Sequence, residues 1–219
     1  MPLLFEPSGS TFVVFRPAPT AGLAPVRTWR KTGEAAVEGP WHVAFVDGRG
    51  APEKLDFDKL VSWAERPEPD VRHYSGSAIY AKTVDVPAGE RIVLDLGEVK
   101  NLVDVTVNGK TYPTLWKPPF RVDITDAVKG RPAAELSLKV TNLWPNRLIG
   151  DDALPPDTQY IKGRDALESI PEWVWAGKSS PTGRRTFATW RHWRKDEPLL
   201  PSGLIGPVRL ESGTFIEKE

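Results

Sequence analysis

Short apolar segments that alternate with polar residues, separated by turn signals roughly every ten residues, constrain the fold of this chain more than any other feature. The clearest case is Asn108-Gly109, which joins the alternating residues 102–107 to Lys110-Thr-Tyr112. Asn-Gly between two such segments is typical of a two-residue hairpin, because both positions adopt positive φ easily. Since long helical periodicity is almost absent, the sequence predicts an all-β antiparallel sandwich, such as a jelly roll.

Several further segments share this alternation and are predicted to be strands. They cover residues 12–16, 41–46, 77–86, 91–96, 135–142, 186–193 and 207–215. We expect a charged connector at residues 31–38, a short helix or irregular segment at 57–63, and one helical turn at 125–130 with Thr125 as its N-cap. No internal repeat or linker is apparent, so the 219 residues are interpreted as one domain, 1–219.

The composition excludes several classes of protein. Cysteine is absent, which rules out disulfides, thiolate metal sites and cysteine nucleophiles. The 29 basic residues balance 29 acidic ones, whereas a nucleic-acid partner usually requires a basic excess. No apolar run reaches the ~18 residues that span a bilayer, and the N-terminus lacks the features of a secretory signal. We therefore expect a soluble protein without a membrane partner, either cytoplasmic or secreted with its signal removed.

The 22 Pro and single Met are also typical of thermostable proteins.

The alternation weakens over residues 144–185, a long loop that is rich in Trp and Pro. Its first nine residues, 144–152, contain an indole, an amide, a guanidinium and two adjacent carboxylates. Sugars stack their C–H faces on indoles, and their hydroxyls pair with Asn, Asp and Arg. The sequence therefore predicts a carbohydrate ligand. The expected ligand-binding residues, including one from an earlier cluster at 115–125, are Trp116, Trp144, Asn146, Arg147, Trp173, Trp175, Trp190, His192 and Trp193.

Structural roles for the same residues remain open alternatives. Most Trp residues of a β sandwich lie in its core, and Arg147 would pair with Asp151 or Asp152 if it is partly buried. The two adjacent carboxylates, together with loop carbonyls, also suit a structural Ca²⁺ ion. No other cofactor is expected, because the three His residues show no metal-ligand spacing.

The order of several motifs resembles the sugar-binding, galactose-binding-like jelly-roll domain of glycoside hydrolase family 2. The matching motifs are Ser-Gly-Ser-Ala-Ile-Tyr at 75–80, Leu-Asp-Leu-Gly at 94–97, Val-Thr-Val-Asn-Gly at 105–109, and Pro119-Phe120 with Asp123-Ile-Thr125. The resemblance is closer still to the C-terminal region of large family 2-like and family 106-like enzymes, the latter being α-L-rhamnosidases. It implies a β sandwich and a carbohydrate context for nearly the whole chain. It transfers no catalytic pair, because the catalytic barrel of those enzymes needs about 200–250 residues of alternating strands and helices.

Three functional interpretations follow, and the first is a non-catalytic sugar-binding module of a larger glycosidase. The second is a compact stand-alone glycoside hydrolase, rhamnosidase- or galactosidase-like, which requires two carboxyl groups. Its candidate acid is Glu172, because the adjacent Trp173 offers an apolar wall, and its ionised partner is Asp151 or Asp152. A chain with its own Met1 favours this second interpretation, whereas the missing barrel favours the first. The third is a structural domain that forms a homo-oligomer or bridges catalytic subunits.

Overall fold

A computed structural model of the chain describes residues 5, 9–15, 27–46 and 50–217. Within these ranges the chain forms twelve strands, four short helices and a 3-10 turn at Trp63–Glu65. The strands are β1 (Arg27–Ala36), β2 (Trp41–Phe45), β3 (Lys54–Phe57), β4 (Ser77–Asp85), β5 (Arg91–Asp95), β6 (Glu98–Lys100), β7 (Leu102–Val107), β8 (Lys110–Thr111), β9 (Arg121–Asp123), β10 (Ala133–Thr141), β11 (Gly203–Gly206) and β12 (Arg209–Glu217). The helices are α1 (Pro69–Arg72), α2 (Thr125–Val128), α3 (Pro145–Asp152) and α4 (Glu172–Trp175).

Two antiparallel sheets form the body of the molecule. A six-stranded sheet has the order β3-β2-β4-β10-β7-β8, and a four-stranded sheet has the order β1-β12-β5-β9. A separate two-stranded sheet pairs β11 with β6. One buried apolar cluster contains residues of both large sheets, for example Leu138 of β10 and Leu94 of β5. The predicted all-β antiparallel sandwich is therefore confirmed.

The alternation in the sequence explains which side of each strand faces the core. In β10, Leu136, Leu138 and Val140 are buried, whereas Glu135 and Lys139 are exposed. Because successive side chains of a strand point to opposite faces, this pattern places one apolar side against the opposing sheet. No helix among the described residues is long and apolar enough to cross a membrane.

The predicted Asn108-Gly109 hairpin is also confirmed. Both residues have positive φ, 49° for Asn108 and 80° for Gly109, and they connect β7 to β8. The Asn108 side chain stabilises the turn further, because its Nδ2 donates to Ala127 O and its Oδ1 accepts from Glu135 N, both at 2.9 Å.

Two strand assignments were wrong. Residues 31–38 are not a connector, since most of them lie in β1, which pairs with β12 from Arg27↔Glu217 to Ala36↔Arg209. The charges that suggested a connector are paired across the sheet, because Lys31 Nζ lies 2.7 Å from Glu211 Oε1. Conversely, residues 186–193 form no strand, and only Trp190 makes an isolated bridge there.

Two further predictions were also wrong, namely the strand at 12–16 and the N-cap of the helical turn at 125–130. Residues 12–15 form no strand and are exposed, and Arg16 lies outside the described residues. The N-cap of α2 is Ile124 rather than Thr125. The Thr125 hydroxyl accepts a hydrogen bond from Ile92 N at 2.9 Å, which ties the helix to β5 instead.

In the structure the long loop extends beyond 144–185, because it begins after β10 and ends at β11, over residues 142–202. Buried hydrogen bonds fix its return at β11. The Tyr80 hydroxyl accepts from Trp63 Nε1 at 2.6 Å and from Leu204 N at 3.2 Å. Burial raises the pKa of Tyr80 far above its ordinary value, so this hydroxyl remains neutral at physiological pH. Between these fixed points the loop carries α3, α4 and a few isolated bridges.

Candidate functional site

Asn146 joins the two ends of the long loop. Its Oδ1 accepts from Leu200 N at 2.8 Å, and its Nδ2 donates to Leu200 O at 2.7 Å. The side chain is buried at the base of α3. Because both functions of the amide are occupied by backbone groups, Asn146 holds the base of the loop together in this structure.

Arg147 and Asp151 lie one turn apart on α3 and form a buried ion pair. Arg147 Nη2 is 2.9 Å from Asp151 Oδ1, and their side chains are only 8% and 3% exposed. The contact lacks the alignment of a hydrogen bond. Asp151 Oδ2 makes aligned bonds, accepting from Arg185 N at 2.9 Å, Thr186 N at 2.8 Å and Thr186 Oγ1 at 2.7 Å. The carboxylate therefore fixes the returning chain at residues 185–186 against α3.

Asp152 pairs with a different arginine, Arg191. Arg191 Nε lies 2.8 Å from Oδ1 and Nη2 lies 3.1 Å from Oδ2, while Lys195 N donates to Oδ2 at 3.0 Å. Burial by itself would raise the pKa of Asp152, but the hydrogen bonds from Arg191 and Lys195 outweigh it, so the pKa lies below its ordinary value. Asp152 is consequently ionised near neutral pH and can accept, but not donate, hydrogen bonds.

A cavity of about 130 Å³ lies between α3 and the returning chain, and we call it the α3 cavity. Five of the residues predicted from the sequence line it: Asp151, Asp152, Trp190, His192 and Trp193. Trp190 is 56% exposed, and the His192 and Trp193 rings meet edge to face at 5.2 Å. The cavity wall thus combines indoles, an imidazole and ionised carboxylates.

The sequence-based interpretation did not select several other residues that line the α3 cavity. The most polar or aromatic of these are Thr158, Tyr160, Arg184, Phe187 and Arg191. Both arginines belong to a basic stretch that would ordinarily be interpreted as a solvated face. The adjacent carboxylates on α3 were the available signal, because a buried carboxylate requires a cationic partner.

Three buried polar atoms of residues that line the α3 cavity have no hydrogen-bond partner among the described residues. One is Asp151 Oδ1, which faces Arg147, and the others are Asp157 Oδ2 and Thr158 Oγ1. The Asp157 side chain is almost fully buried, and the nearest cation, Arg184 Nε, is 3.8 Å from its other oxygen. Unsatisfied buried polar atoms are uncommon in native proteins, and they require an explanation such as a bound ligand or water.

The remaining predicted residues of the long loop lie outside the α3 cavity. Trp173 supports it from behind, because its ring packs edge-on against Phe187 at 6.0 Å. Trp175 is 75% exposed, and Glu172 is exposed and does not line the cavity. Since Trp173 and Trp175 belong to the helical turn α4, they do not share a face as they would in an extended segment.

Trp116 and Trp144 lie at the end of the six-stranded sheet, on the loop after β8 and at the N-cap of α3. They are 69% and 49% exposed. Among the described residues, no group of three or more His, Asp or Glu side chains is arranged to hold a metal ion. The structural Ca²⁺ ion stays a prediction.

No protein-family model matches the chain. A protein of Formosa agariphila named "Putative beta-glucuronidase" is 42% identical over 185 residues, which are 82% of this chain and 16% of that protein. The structure of a rhamnosidase from Novosphingobium sp. PP1Y matches with a TM-score of 0.65 and 34% identity, over 84% of this chain and 16% of that one. A Faecalibacterium prausnitzii beta-glucuronidase, with a TM-score of 0.52 and 17% identity over 87% of this chain and 33% of that one, shows the fold alone.

The chain thus spans about a sixth of the length of the first two relatives. It corresponds to a domain-sized piece of these larger proteins. The resemblance to the β-sandwich domains of rhamnosidase-type and family 2 glycoside hydrolases is confirmed.

Proposed function

We propose that this chain, a β-sandwich domain of the glycoside hydrolase type, is a carbohydrate-binding module that holds a sugar in the α3 cavity. The observation that carries the proposal is the composition of the cavity wall. The exposed indole of Trp190 lies in the same cavity as Trp193, His192 and the Asp152–Arg191 pair. An indole stacks on the C–H face of a sugar, while charged planar groups hydrogen-bond its hydroxyls.

The size of the α3 cavity limits the ligand. At about 130 Å³, it is smaller than the roughly 300–1,000 Å³ of pockets for drug-sized ligands. A single sugar residue, such as the end of a glycan chain, suits it better than an internal stretch of polysaccharide. The unsatisfied oxygens of Asp157 and Thr158 are further acceptors in the same wall.

The three carboxyl groups that the sequence suggested for catalysis do not form an acid and an ionised partner in the α3 cavity. A two-carboxylate mechanism requires a protonated acid that faces an ionised partner across the substrate. Asp151 is occupied by Arg147 and the backbone, and the pKa of Asp152 is lowered by hydrogen bonds that outweigh its burial. Glu172 does not line the cavity with them. We therefore propose that the catalytic site of any larger glycosidase lies outside this chain, and that the chain brings that enzyme to its substrate.

Isothermal titration calorimetry with methyl α-L-rhamnoside and methyl β-D-glucuronide tests this proposal. Trp190→Ala should weaken binding about tenfold or more, since a lost aromatic contact of about 1.5 kcal/mol corresponds to that factor. Trp175→Ala is the matched control, because it removes an equally large exposed indole of the same loop from outside the cavity. The Trp175→Ala variant should bind both sugars with the affinity of the unaltered chain.

If Trp190→Ala and Trp175→Ala both bound the sugars as tightly as the unaltered chain, the α3 cavity would be excluded as the sugar site. Release of p-nitrophenol from the corresponding p-nitrophenyl glycosides would show that the chain is an enzyme. Loss of that activity in Glu172→Gln would then assign the acid role to Glu172.

A further inference from the structure

We infer that the chain has a second carbohydrate site, away from the α3 cavity, in what we call the Trp116 groove. The inference rests on the proposed sugar-binding function and extends it to a longer ligand. Two depressions of about 220 and 420 Å³ are neighbours, because Lys100 and Asn101 line both of them, and the name covers the pair. Trp116 lines one end, and Leu143 and Pro145 line the other.

Helix α3 separates this groove from the α3 cavity. Pro145 and Asn146, at the start of the helix, line the groove. Asp151 and Asp152, at its end, line the cavity. The two sites therefore lie on the same short helix but share no lining residue.

The backbone beside Trp116 is held rigidly while its indole projects into solvent. Leu115 N donates to Val103 O at 2.9 Å, and Val103 N donates to Leu115 O at 3.0 Å. This bridge fixes the chain to β7, yet Trp116 is 69% exposed. A large indole on a fixed backbone loses little conformational entropy when a ligand stacks on it.

Other exposed apolar side chains lie at the same end of the six-stranded sheet. Leu102 pairs with Thr141, the last residue of β10, and Leu143 and Trp144 follow two and three residues later. Leu102, Leu143 and Trp144 are each about half exposed. A group of exposed apolar side chains at one end of a sheet favours a binding site there.

Asn101 supplies the polar part of the groove. Its backbone N donates to Thr141 O at 2.8 Å, which fixes its position. No hydrogen bond involves its side-chain amide among the residues that the structure describes, so both the donor and the acceptor are available to a sugar hydroxyl. Nearby, Lys100 Nζ lies 3.2 Å from Glu98 Oε1 at the surface.

This composition favours a sugar over a protein partner. Charged residues are depleted from the centres of protein interfaces, whereas the middle of this groove holds Lys100 and a free amide. Its apolar side chains are at the two ends, where they would stack on successive sugar residues. Two separate sugar sites on one module would raise its avidity for a polysaccharide without any further contact.

The test is a ¹⁵N NMR titration of the full chain with methyl α-L-rhamnoside and methyl β-D-glucuronide. The indole N–H signals of Trp116 and Trp190 are assigned from the variants Trp116→Phe and Trp190→Phe. We expect the Trp116 signal and the Asn101 amide signals to shift with sugar, and to do so equally in Trp190→Ala. Asn101→Ala should weaken the Trp116 response at least fivefold, whereas Trp175→Ala should leave it unchanged.

The possible outcomes separate this inference from the proposed function. A shift of Trp190 without Trp116 would overturn the second site and leave the α3 cavity in place. A shift of Trp116 without Trp190 would support the groove and refute the cavity. Absence of both shifts would overturn both proposals. Sugar-independent shifts of Trp116 that grow with protein concentration, with a doubled mass in light scattering, would identify the groove as an interface between copies and overturn the inference.

Discussion

Replacing Asp151 by Asn distinguishes a structural carboxylate from a catalytic one. Asp151 is 3% exposed, faces Arg147 at 2.9 Å and accepts three aligned hydrogen bonds from residues 185–186. Asparagine has nearly the same shape and retains one oxygen for the backbone donors. It removes the negative charge, so Arg147, which is 8% exposed, would remain buried without a counter-ion.

The expected loss of stability follows from this geometry. Removing one partner of a buried ion pair costs about 3–5 kcal/mol. Because the amide oxygen preserves part of the hydrogen bonding, we expect the lower end, about 3 kcal/mol. With a urea dependence of about 2–3 kcal/mol per molar, the unfolding midpoint should fall by about 1–1.5 M.

Urea unfolding followed by tryptophan fluorescence measures this shift. Asp126→Asn is the matched control, because that side chain is 84% exposed and pairs with a surface lysine, Lys110. Its free energy of unfolding should change by less than about 0.5 kcal/mol. If Asp151→Asn behaved like this control, the argument that Asp151 holds the wall of the α3 cavity would be refuted.

Three further predictions concern the hairpin and the pH dependence of stability. Asn108→Ala should destabilise the chain by about 2–4 kcal/mol in thermal unfolding, because alanine is strained at this positive φ and both side-chain hydrogen bonds are lost. Asn108→Gly should lose only the stability that the two hydrogen bonds contribute, because glycine adopts positive φ without strain. The pKa of His73 is lowered from 6.5 chiefly by burial, with a contribution from the charge of Arg147. Because the folded state then binds fewer protons than the unfolded state, the free energy of unfolding should fall as pH drops through 6.5. His73→Gln should abolish this pH dependence. The pKa of Asp152 is lowered from 3.8 because its hydrogen bonds outweigh its burial, so its stabilising contribution should be present above pH 3.8 and disappear as pH falls through the lower folded value. Arg191→Gln should reduce this acid sensitivity of the urea midpoint, since the hydrogen bond from Lys195 N remains.

Local turn chemistry made part of the fold predictable. Asn108-Gly109 specifies its hairpin without help from distant residues, since both positions tolerate positive φ. Strand β1 was missed because its partner lies far along the chain. Lys31, for example, meets Glu211 across 180 residues. Residues 12–15 show the converse, because four apolar residues in a row predict a strand but have no partner strand among the described residues.

Part of the lining of the α3 cavity was predictable from the sequence, but the geometry was not. Trp190 and Trp193 line one cavity, as the density of indoles near the long loop suggested, whereas sugar binding there stays a prediction. The pairing of Asp152 with Arg191, 39 residues later, depends on the path of an irregular loop. Similarly, Trp173 and Trp175 lie on different faces because they belong to one helical turn, α4, which no periodicity in the sequence predicted.

A crystal structure of the chain grown with methyl α-L-rhamnoside or methyl β-D-glucuronide would show whether the α3 cavity holds a sugar. We expect a sugar ring stacked on Trp190, with hydroxyl oxygens within hydrogen-bond distance of Asp152 or Arg191. A complex in which the α3 cavity remains empty, at a sugar concentration that saturates the calorimetric titration, would contradict this expectation.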